Sequence, residues 1–200
     1  TLNKLEKPDI NIVTIADTIA FDLENIHPAP VNTTSGVTFA AALRSILRQD
    51  PDIIMVGEVR DEETVELAIR AALTGHLVFS TIHTNDAASG FARLLNWDIE
   101  PFLIASTVKG ILAQRLVRRI CENCKVEHEI TDREALLLKI DKKKYKKTYK
   151  GKGCLSCRNS GYRGRLGLYE LLVVNEEVSE LVLNEEPSFK IRDKAREHGM

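Results

Sequence analysis

The sequence predicts an α/β domain built on a parallel sheet, together with a separate cysteine-bearing module. Short apolar runs rich in β-branched residues occur at 11–15, 53–57 and 77–82, and such runs fill parallel sheets that are covered on both faces. Helical patterns lie between these runs, and strand alternating with helix is typical of an α/β domain. The 200 residues are 44% hydrophobic, which is enough to bury a core.

The helices are predicted from apolar spacing and from capping residues. Apolar residues from Phe39 onward recur at helical spacing, with Thr38 as the expected N-cap and Pro51 as the stop. Asp61 is the expected cap of a second helix that ends at Gly75. Further helices are expected from about Thr84 or Asn85, over 101–120, after Thr131, and over 174–200 in two pieces divided near Pro187.

The overall charge and hydropathy exclude several classes of protein. The formal net charge is −1, so the electrostatics of the whole molecule do not favour nucleic acid. No apolar run approaches the roughly 18 residues that a membrane span needs. We therefore expect a cytosolic protein, and its first residue, Thr1, indicates a piece of a longer chain.

The four cysteines form two Cys-x-x-Cys pairs, Cys121 with Cys124 and Cys154 with Cys157, and the chain has no other cysteine. Each pair places two thiolates about one turn apart, and two pairs supply the four sulfur ligands of a tetrahedral Zn²⁺ site. A reducing cytosol favours metal binding over disulfides. A redox dithiol and incidental thiols are the alternatives. Four thiolates leave no position open for water, so the predicted role of zinc is structural.

Polar residues follow two of the predicted strands, where parallel α/β sheets bind their ligands. Glu58 comes directly after Gly57, and a carboxylate there can orient water for attack on a phosphate or hold Mg²⁺. The alternative is a glutamate that caps a helix or pairs with Arg60. His83 follows the third run and can reach a γ-phosphate or a catalytic water, and His76 is the weaker candidate. A lone histidine is more often a surface residue or a satisfied core residue.

Three stretches of the chain resemble motifs of the type II secretion and type IV pilus assembly ATPases. Their Walker B motif is similar to Leu47-Arg-Gln-Asp-Pro-Asp-Ile-Ile-Met-Val-Gly-Glu-Val-Arg-Asp61. Their histidine box is similar to Thr74-Gly-His-Leu-Val-Phe-Ser-Thr-Ile-His-Thr-Asn-Asp-Ala87. The zinc-bearing module of the assembly branch is similar to 114–121, the second cysteine pair and 161–170. The similarity covers nearly the whole chain.

This resemblance implies part of a RecA-like P-loop NTPase fold in which Glu58 is the catalytic base and His83 acts near the γ-phosphate. It implies ATP with Mg²⁺ as substrate and Zn²⁺ as a structural ion. Family members form hexameric rings at the cytoplasmic side of the inner membrane and drive a platform protein that extrudes a pilus or pseudopilus. We expect the same of the parent protein, including peripheral membrane association. The resemblance also implies nucleotide-binding roles for Asp17, Gly57, Arg60 and His76.

The chain departs from the family pattern in two ways. It contains no GxxxxGK[ST] loop, so it lacks the backbone amides and the lysine that hold the β- and γ-phosphates. The isolated chain is therefore predicted not to hydrolyse ATP. The aspartate box of the family carries acidic residues at the positions of Ala16 and Ala20, although Asp17 remains. The alternative function is therefore a catalytically inactive subunit or a zinc-stabilised docking module.

The predicted organisation is an ATPase-core part at 1–120, a tetracysteine zinc module at 121–162 and a helical C-terminal part of the ATPase domain at 163–200. Seven lysines lie among residues 141–152. We expect the segment Lys142–Lys152 to contact anionic lipid headgroups, with a solvated arm as the alternative. A zinc-ribbon protein that binds nucleic acid is disfavoured, because few aromatic residues accompany the basic tract.

Overall fold

A parallel sheet organises the first part of the chain in this computed structural model, which describes residues 2–5, 7–16, 26–31, 37–145 and 147–200. Its strands are Ile12–Ala16 (β1), Ile26–Pro30 (β2), Ile53–Val56 (β3) and Leu77–Ser80 (β4). They are hydrogen-bonded in the order β2-β1-β3-β4, and every pair is parallel. The sheet confirms the three predicted strands and the α/β class. β2 was not predicted, because its two prolines are tolerated only on an edge strand, which is the position it occupies.

Two of the helices begin at the predicted caps. Thr38 Oγ1 accepts the Ala41 N–H at 3.1 Å, and Asp61 Oδ1 accepts the Thr64 N–H at 2.8 Å, so both N-caps satisfy otherwise unpaired backbone donors. The helices are Leu2–Leu5 (α1), Phe39–Ile46 (α2), Glu62–Leu73 (α3), Ser89–Leu95 (α4), Pro101–Thr107 (α5), Asp132–Leu138 (α6), Glu176–Leu183 (α7) and Ser188–Glu197 (α8). The last two lie on either side of Pro187, as predicted.

The core lies between the sheet and the helices. Its central strands are buried on both faces, as expected for a parallel sheet covered by helices. Fully buried side chains come from β1, β3 and six helices, and the largest include Ile15, Ile54, Leu43, Phe91, Ile104, Val178 and Ile191. A rigid core of this kind holds the strand ends, and the loops that follow them, in fixed positions.

The predicted helix over 101–120 is wrong, because α5 ends at Thr107 and a long strand, Gly110–Ile120 (β5), follows. β5 pairs with Tyr162–Val173 (β8) in a two-stranded sheet. Its residues are good helix formers, but their hydrogen-bond partners lie some fifty residues away in the sequence. Local propensity cannot register a partner at that distance, so tertiary pairing overrides it.

Two helix boundaries also differ from the prediction. α2 ends at Ile46, before Pro51, because the next N–H groups donate to carbonyls three residues back, Arg48 to Ser45 at 3.3 Å and Gln49 to Ile46 at 2.8 Å. α4 begins at Ser89 rather than near Thr84, because the Asp86 carboxylate accepts both the N–H and the hydroxyl of Ser89, at 2.8 and 2.7 Å. A local side-chain acceptor therefore sets this start.

A second compact unit comprises Gln114–Tyr169, and the first comprises the rest of the chain. The second unit is wider at both ends than the predicted module at 121–162. It contains α6 and an antiparallel pair, Lys125–Glu129 (β6) with Lys147–Gly151 (β7), in which Glu127 faces Tyr149. Short 3-10 turns follow the first cysteine of each pair. Among the described residues, no helix is long and apolar enough to cross a membrane.

Candidate functional site

Glu58 lies just beyond the carboxyl end of β3, at the start of the loop that leads to α3. Gly57 makes this position possible, because its N–H donates to the Ile15 carbonyl at 2.7 Å. A Cβ at Gly57 would lie 3.0 Å from the same oxygen and 3.4 Å from Ala16. Glycine therefore allows the turn to remain against β1 while the next residue presents its carboxylate.

The ends of β3 and β4 are joined by two hydrogen bonds. Thr81 Oγ1 donates to the Gly57 carbonyl at 2.7 Å, and the Val59 N–H donates to the Thr81 carbonyl at 3.1 Å. These bonds place His83 Nε2 3.2 Å from Glu58 Oε2. The structure thus brings together the two residues predicted to be catalytic. The role of Thr81 in positioning them was not predicted, although the polar run at the end of the strand was the signal.

Arg60 is the second partner of the Glu58 carboxylate, with which it forms an ion pair. The same guanidinium lies 5.9 Å from the centroid of the Phe39 ring. The hydrogen bond from Arg60 is the main reason that the pKa of Glu58 lies below its ordinary value of 4.5. Partial burial opposes this shift, and the hydrogen bond from His83 adds to it.

The carboxylate of this cluster is sheltered while its partners remain open to solvent. The Glu58 side chain is 19% exposed, whereas His83 is 89% exposed. An ionised carboxylate at a strand end can accept a proton from water or bind Mg²⁺ through water. His83 is accessible to a ligand that approaches from solvent. The contact with His83 fits a catalytic role for Glu58, and the contact with Arg60 fits a simple ion pair.

The structure does not bring His76 to this cluster. His76 precedes β4, so the four residues of that strand separate it from the end that carries His83. Its Nδ1 lies 2.9 Å from the Ala71 carbonyl and 3.1 Å from Thr74 Oγ1. It lines a largely apolar groove of about 660 Å³ beside β4. Asp17 lies outside the described residues.

The four cysteine sulfurs form a second cluster, in the unit Gln114–Tyr169, and all of them lie within 4.8 Å of one another. Three Sγ–Sγ distances are 3.9 Å (Cys121 to Cys154), 3.9 Å (Cys124 to Cys157) and 3.7 Å (Cys154 to Cys157). A tetrahedron with Zn–S bonds of about 2.3 Å has edges of about 3.8 Å. The donor set and its spacing therefore fit a tetrahedral metal ion.

The backbone around Cys157 favours its thiolate form. Burial opposes ionisation, but the N–H groups of Cys154 and Gly161 each donate to Cys157 Sγ at 3.3 Å, and the net effect lowers the pKa of Cys157 to about 6. Gly161 adopts a left-handed φ of 75°, and a Cβ there would lie 2.6 Å from the Gly151 carbonyl. Glycine is therefore required at 161 for this donor to reach the sulfur.

A match to one protein-family model over the entire chain shows which family this protein belongs to. A family model described as "Type II/IV secretion system protein" matches residues 1–200. The chain belongs to this type II/IV secretion system protein family. The match confirms the family resemblance, and the catalytic roles of Glu58 and His83 stay predictions.

Curated relatives within the family come from both secretion and pilus systems. The chain is 45% identical over 201 residues to the type IV pilus assembly ATPase PilB of Thermus thermophilus. The matched region covers 100% of this chain and 23% of that protein. It is 47% identical over 184 residues to the type II secretion system ATPase E of Vibrio cholerae. That match covers 92% of this chain and 37% of the other protein. The chain thus spans between about a quarter and two-fifths of the length of these relatives.

Solved structures of related ATPases have a similar fold. The pilus retraction motor PilT with bound ADP gives a TM-score of 0.60 at 29% identity, over 91% of this chain and 43% of that one. The Legionella pneumophila ATPase DotB gives a TM-score of 0.61 at 25% identity, over 98% of this chain and 46% of that one. The α/β fold of this chain is therefore shared with these two solved structures.

Proposed function

We propose that this chain is the Walker B and histidine-box part of an ATPase motor that powers type II protein secretion or type IV pilus assembly. The observation that carries the proposal is the contact of Glu58 with His83 across the ends of two parallel strands. In this role Glu58 orients and deprotonates the attacking water, and His83 stabilises the transferred phosphoryl group. A P-loop elsewhere in the parent protein supplies the binding of the β- and γ-phosphates.

Binding and hydrolysis of Mg²⁺–ATP need more residues than Glu58 and His83. Glu58 is a weaker base while the Arg60 ion pair holds, because the guanidinium stabilises the ionised carboxylate. Nucleotide binding provides competing charge for both partners. We therefore propose that Gly57 and Arg60 belong to the nucleotide site and that Asp17 contributes to it, whereas His76, at the opposite end of β4, is left out of this site.

The test is Glu58→Gln in the full parent ATPase. Turnover is expected to fall by about two decades or more, because general-base catalysis contributes about 10²–10⁴ in rate, while ATP affinity remains nearly unchanged. Turnover and equilibrium nucleotide binding are measured on the same preparation. The matched control is Glu63→Gln, since Glu63 is an exposed glutamate that pairs with Arg44 and lies outside the cluster.

Unchanged turnover in Glu58→Gln would show that Glu58 is not the base. The isolated 200-residue chain should not hydrolyse ATP, whether residue 58 is Glu or Gln. An inactive parent would instead support the second candidate function, a docking subunit that retains the fold. That candidate is favoured by Ala16, which ends β1 where the family carries an acidic residue beside Gly57.

The four cysteines have a structural role in this proposal. Cys121, Cys124, Cys154 and Cys157 would hold one Zn²⁺, which crosslinks the two cysteine turns and supplies no reaction chemistry because all four ligand positions are taken by sulfur. The hydrogen bonds to Cys157 Sγ support this role, since they stabilise the thiolate that a metal requires.

We propose further that the parent protein assembles as a homo-hexamer and works on the cytoplasmic side of the inner membrane. A platform protein in that membrane is its mechanical partner. The type II secretion and type IV pilus relatives support this assignment. Light scattering of the parent protein with and without nucleotide would test the ring, and a monomer under both conditions would contradict it.

A further inference from the structure

The two compact units carry opposite charges. The unit Gln114–Tyr169, here called the basic unit, has 16 Lys and Arg residues against 6 Asp and Glu residues, a formal net charge of +10. The rest of the chain, the acidic unit, has 12 against 23, a formal net charge of −11. Two copies of this chain therefore attract each other when the basic unit of one approaches the acidic unit of the other.

α6, in the basic unit, has one exposed face that combines a cation with two leucines. Leu136 and Leu137 follow Arg133 by three and four residues, which places all three on one side of the helix. Ala135 lies on the opposite side and packs inward at 8% exposure. Leu136 and Leu137 are 79% and 72% exposed, and the exposed Arg133 forms no ion pair within the described ranges. Apolar area therefore lies beside an unpaired positive charge.

The two carboxylates in the first turn of α6 do not cancel this charge, because both have partners of their own. Asp132 forms an ion pair with Lys142 at 2.6 Å. Glu134 closes the capping box and lies 3.0 Å from His128 Nε2. Lys139, directly after the helix, is exposed and has no ion-pair partner among the residues that the structure describes. The unpaired charge on this helix is therefore positive.

α7, in the acidic unit, has an exposed face of complementary composition. Glu176, Glu180 and Leu183 are separated by four and three residues, so they share one side of the helix. Val178 and Val182 on the opposite side are fully buried. Leu183 is 48% exposed, and the side chains of the two glutamates form no ion pair or hydrogen bond in the described part of the chain. Like charges one turn apart destabilise a helix, so a cation between them would be stabilising.

We propose that the exposed face of α6 docks against the exposed face of α7 in a second copy of this chain. In this contact Leu136 and Leu137 cover Leu183. Arg133 reaches the two glutamates of α7. Because the two faces differ, the contact is head-to-tail, and a dimer keeps one free α6 face and one free α7 face. Such contacts close into rings or continue as filaments.

A second copy is the partner that covers both faces at once. A nucleic acid would pair with Arg133 but leave the leucines of α6 in water. A lipid surface would leave the glutamates of α7 unpaired. The proposal rests on the two helix faces and on the opposite charges of the units, and not on the homo-hexamer proposed for the parent protein.

The test is sedimentation velocity of the 200-residue chain over a range of protein concentrations. The sedimentation coefficient of wild type should rise with concentration at low salt, and less steeply at high salt, because ions screen the charged contacts and not the apolar ones. Arg133→Glu with Lys139→Glu should remain monomeric, since like charges then face each other. Glu176→Lys with Glu180→Lys should remain monomeric for the same reason.

Mixing these two charge-reversed variants separates a specific contact from damage to either helix. An equimolar mixture should associate, because an acidic face meets a basic face at every contact between the two variants. A single chain that carries all four substitutions should also associate, since both of its faces are reversed together. Emission of Trp97 and far-UV circular dichroism verify that each variant is folded.

Matched controls change the net charge by the same amount at other exposed positions. Asp9→Lys with Glu62→Lys alters the acidic unit outside α7, and Glu62 begins α3 as Glu176 begins α7. Lys150→Glu with Arg165→Glu alters the basic unit outside α6. Both controls should associate as wild type does.

A further variant tests the apolar part of the contact. Leu136→Gln with Leu137→Gln keeps good helix formers in α6 and should weaken association by about tenfold or more, because burial of a leucine contributes at least about that factor. The loss should be equal at low and high salt. Leu116→Gln with Leu155→Gln is the control, since both leucines are exposed in the same unit outside α6.

Three outcomes would overturn the proposal: a wild-type sedimentation coefficient that does not change with concentration, equal losses in the control and test variants, or a mixture of the charge-reversed variants that stays monomeric. None of these measurements uses nucleotide or the parent protein. The contact between copies can therefore fail while the proposed motor function stands, and the reverse is also possible.

Discussion

At the scale of single residues, the carboxylate of Glu58 has two competing partners. Arg60 neutralises it directly, while His83 contacts the other carboxylate oxygen at 3.2 Å from the neighbouring strand end. A carboxylate that is paired with a guanidinium is a weaker proton acceptor, so in our proposal the ion pair describes a resting arrangement. Arg60 therefore controls the basicity of Glu58 in our proposal.

Substitution of Arg60 by Ala should raise the pKa of Glu58 toward its ordinary value of 4.5, because the hydrogen bond from Arg60 is the main cause of its low value. Carboxyl resonances followed by NMR across the acidic pH range would measure the shift. Arg70→Ala is the matched control, since Arg70 pairs with Glu66 in the middle of α3. An unchanged pKa of Glu58 in the Arg60 variant would mean that the two side chains do not pair in solution.

At the scale of elements, short-range polar contacts determine where helices begin. α6 shows the strongest case, a capping box in which Thr131 and Glu134 exchange hydrogen bonds. The Glu134 carboxylate accepts the Thr131 N–H at 2.8 Å and also contacts His128 Nε2 on β6 at 3.0 Å. One carboxylate thus fixes both the start of α6 and its attachment to the neighbouring strand.

The pH dependence of the stability of the unit Gln114–Tyr169 should reveal this contact. The hydrogen bonds from Thr131, with a further contribution from His128, lower the pKa of Glu134 to about 2. A carboxyl whose pKa is lower in the folded state stabilises the fold above its unfolded pKa, near 4.5, and loses that contribution as the pH falls toward 2. Glu134→Gln should therefore destabilise the unit at neutral pH, and the difference from wild type should narrow between pH 4.5 and 2.

Urea unfolding followed by tyrosine emission is the measurement, because all four tyrosines of the chain lie within Gln114–Tyr169. Glu129→Gln is the control, since Glu129 is exposed and its side chain forms no ion pair or hydrogen bond within the described part of the chain. A constant difference between wild type and Glu134→Gln at every pH would contradict the assignment.

At the scale of the whole molecule, the two compact units have separate means of stabilisation. The first unit has a large apolar core, whereas the second has few buried apolar residues among its described positions. The four sulfurs at the centre of the second unit take the place of such a core if they hold a metal ion. Structural zinc sites contribute apparent binding free energies of about 10–16 kcal/mol, and much of this is folding free energy.

Removal of the metal should unfold the second unit while the first persists. Cys154→Ser or a chelator is expected to abolish hydrogen-exchange protection in β6 and β7, but the strands beside Glu58 and His83 should keep theirs. Trp97, the single tryptophan, lies in the first unit, so its emission reports that unit separately.

Leu155→Ser is the matched control for Cys154→Ser, because Leu155 is 93% exposed and lies between the paired cysteines. No metal in protein purified under reducing conditions would contradict the prediction. Equal loss of protection in both units would contradict it as well.

The sequence by itself determined the features that depend on neighbouring residues. The three apolar strands, the caps at Thr38, Asp61 and Thr131, and the two cysteine pairs follow from local spacing and side-chain chemistry. The resemblance to family motifs then predicted catalytic roles for Glu58 and His83, because the residues of a motif are contiguous in sequence. Each of these properties needs only information within about one helix or strand length.

Only the tertiary structure decided the features that depend on distant partners. The pairing of β5 with β8 replaced a predicted helix, since the free energy of that pairing comes from residues about fifty positions away. The 3.2 Å contact between Glu58 and His83 required two strands to lie side by side. Long-range contacts carry the energy that selects among local preferences, so sequence periodicity cannot supply them.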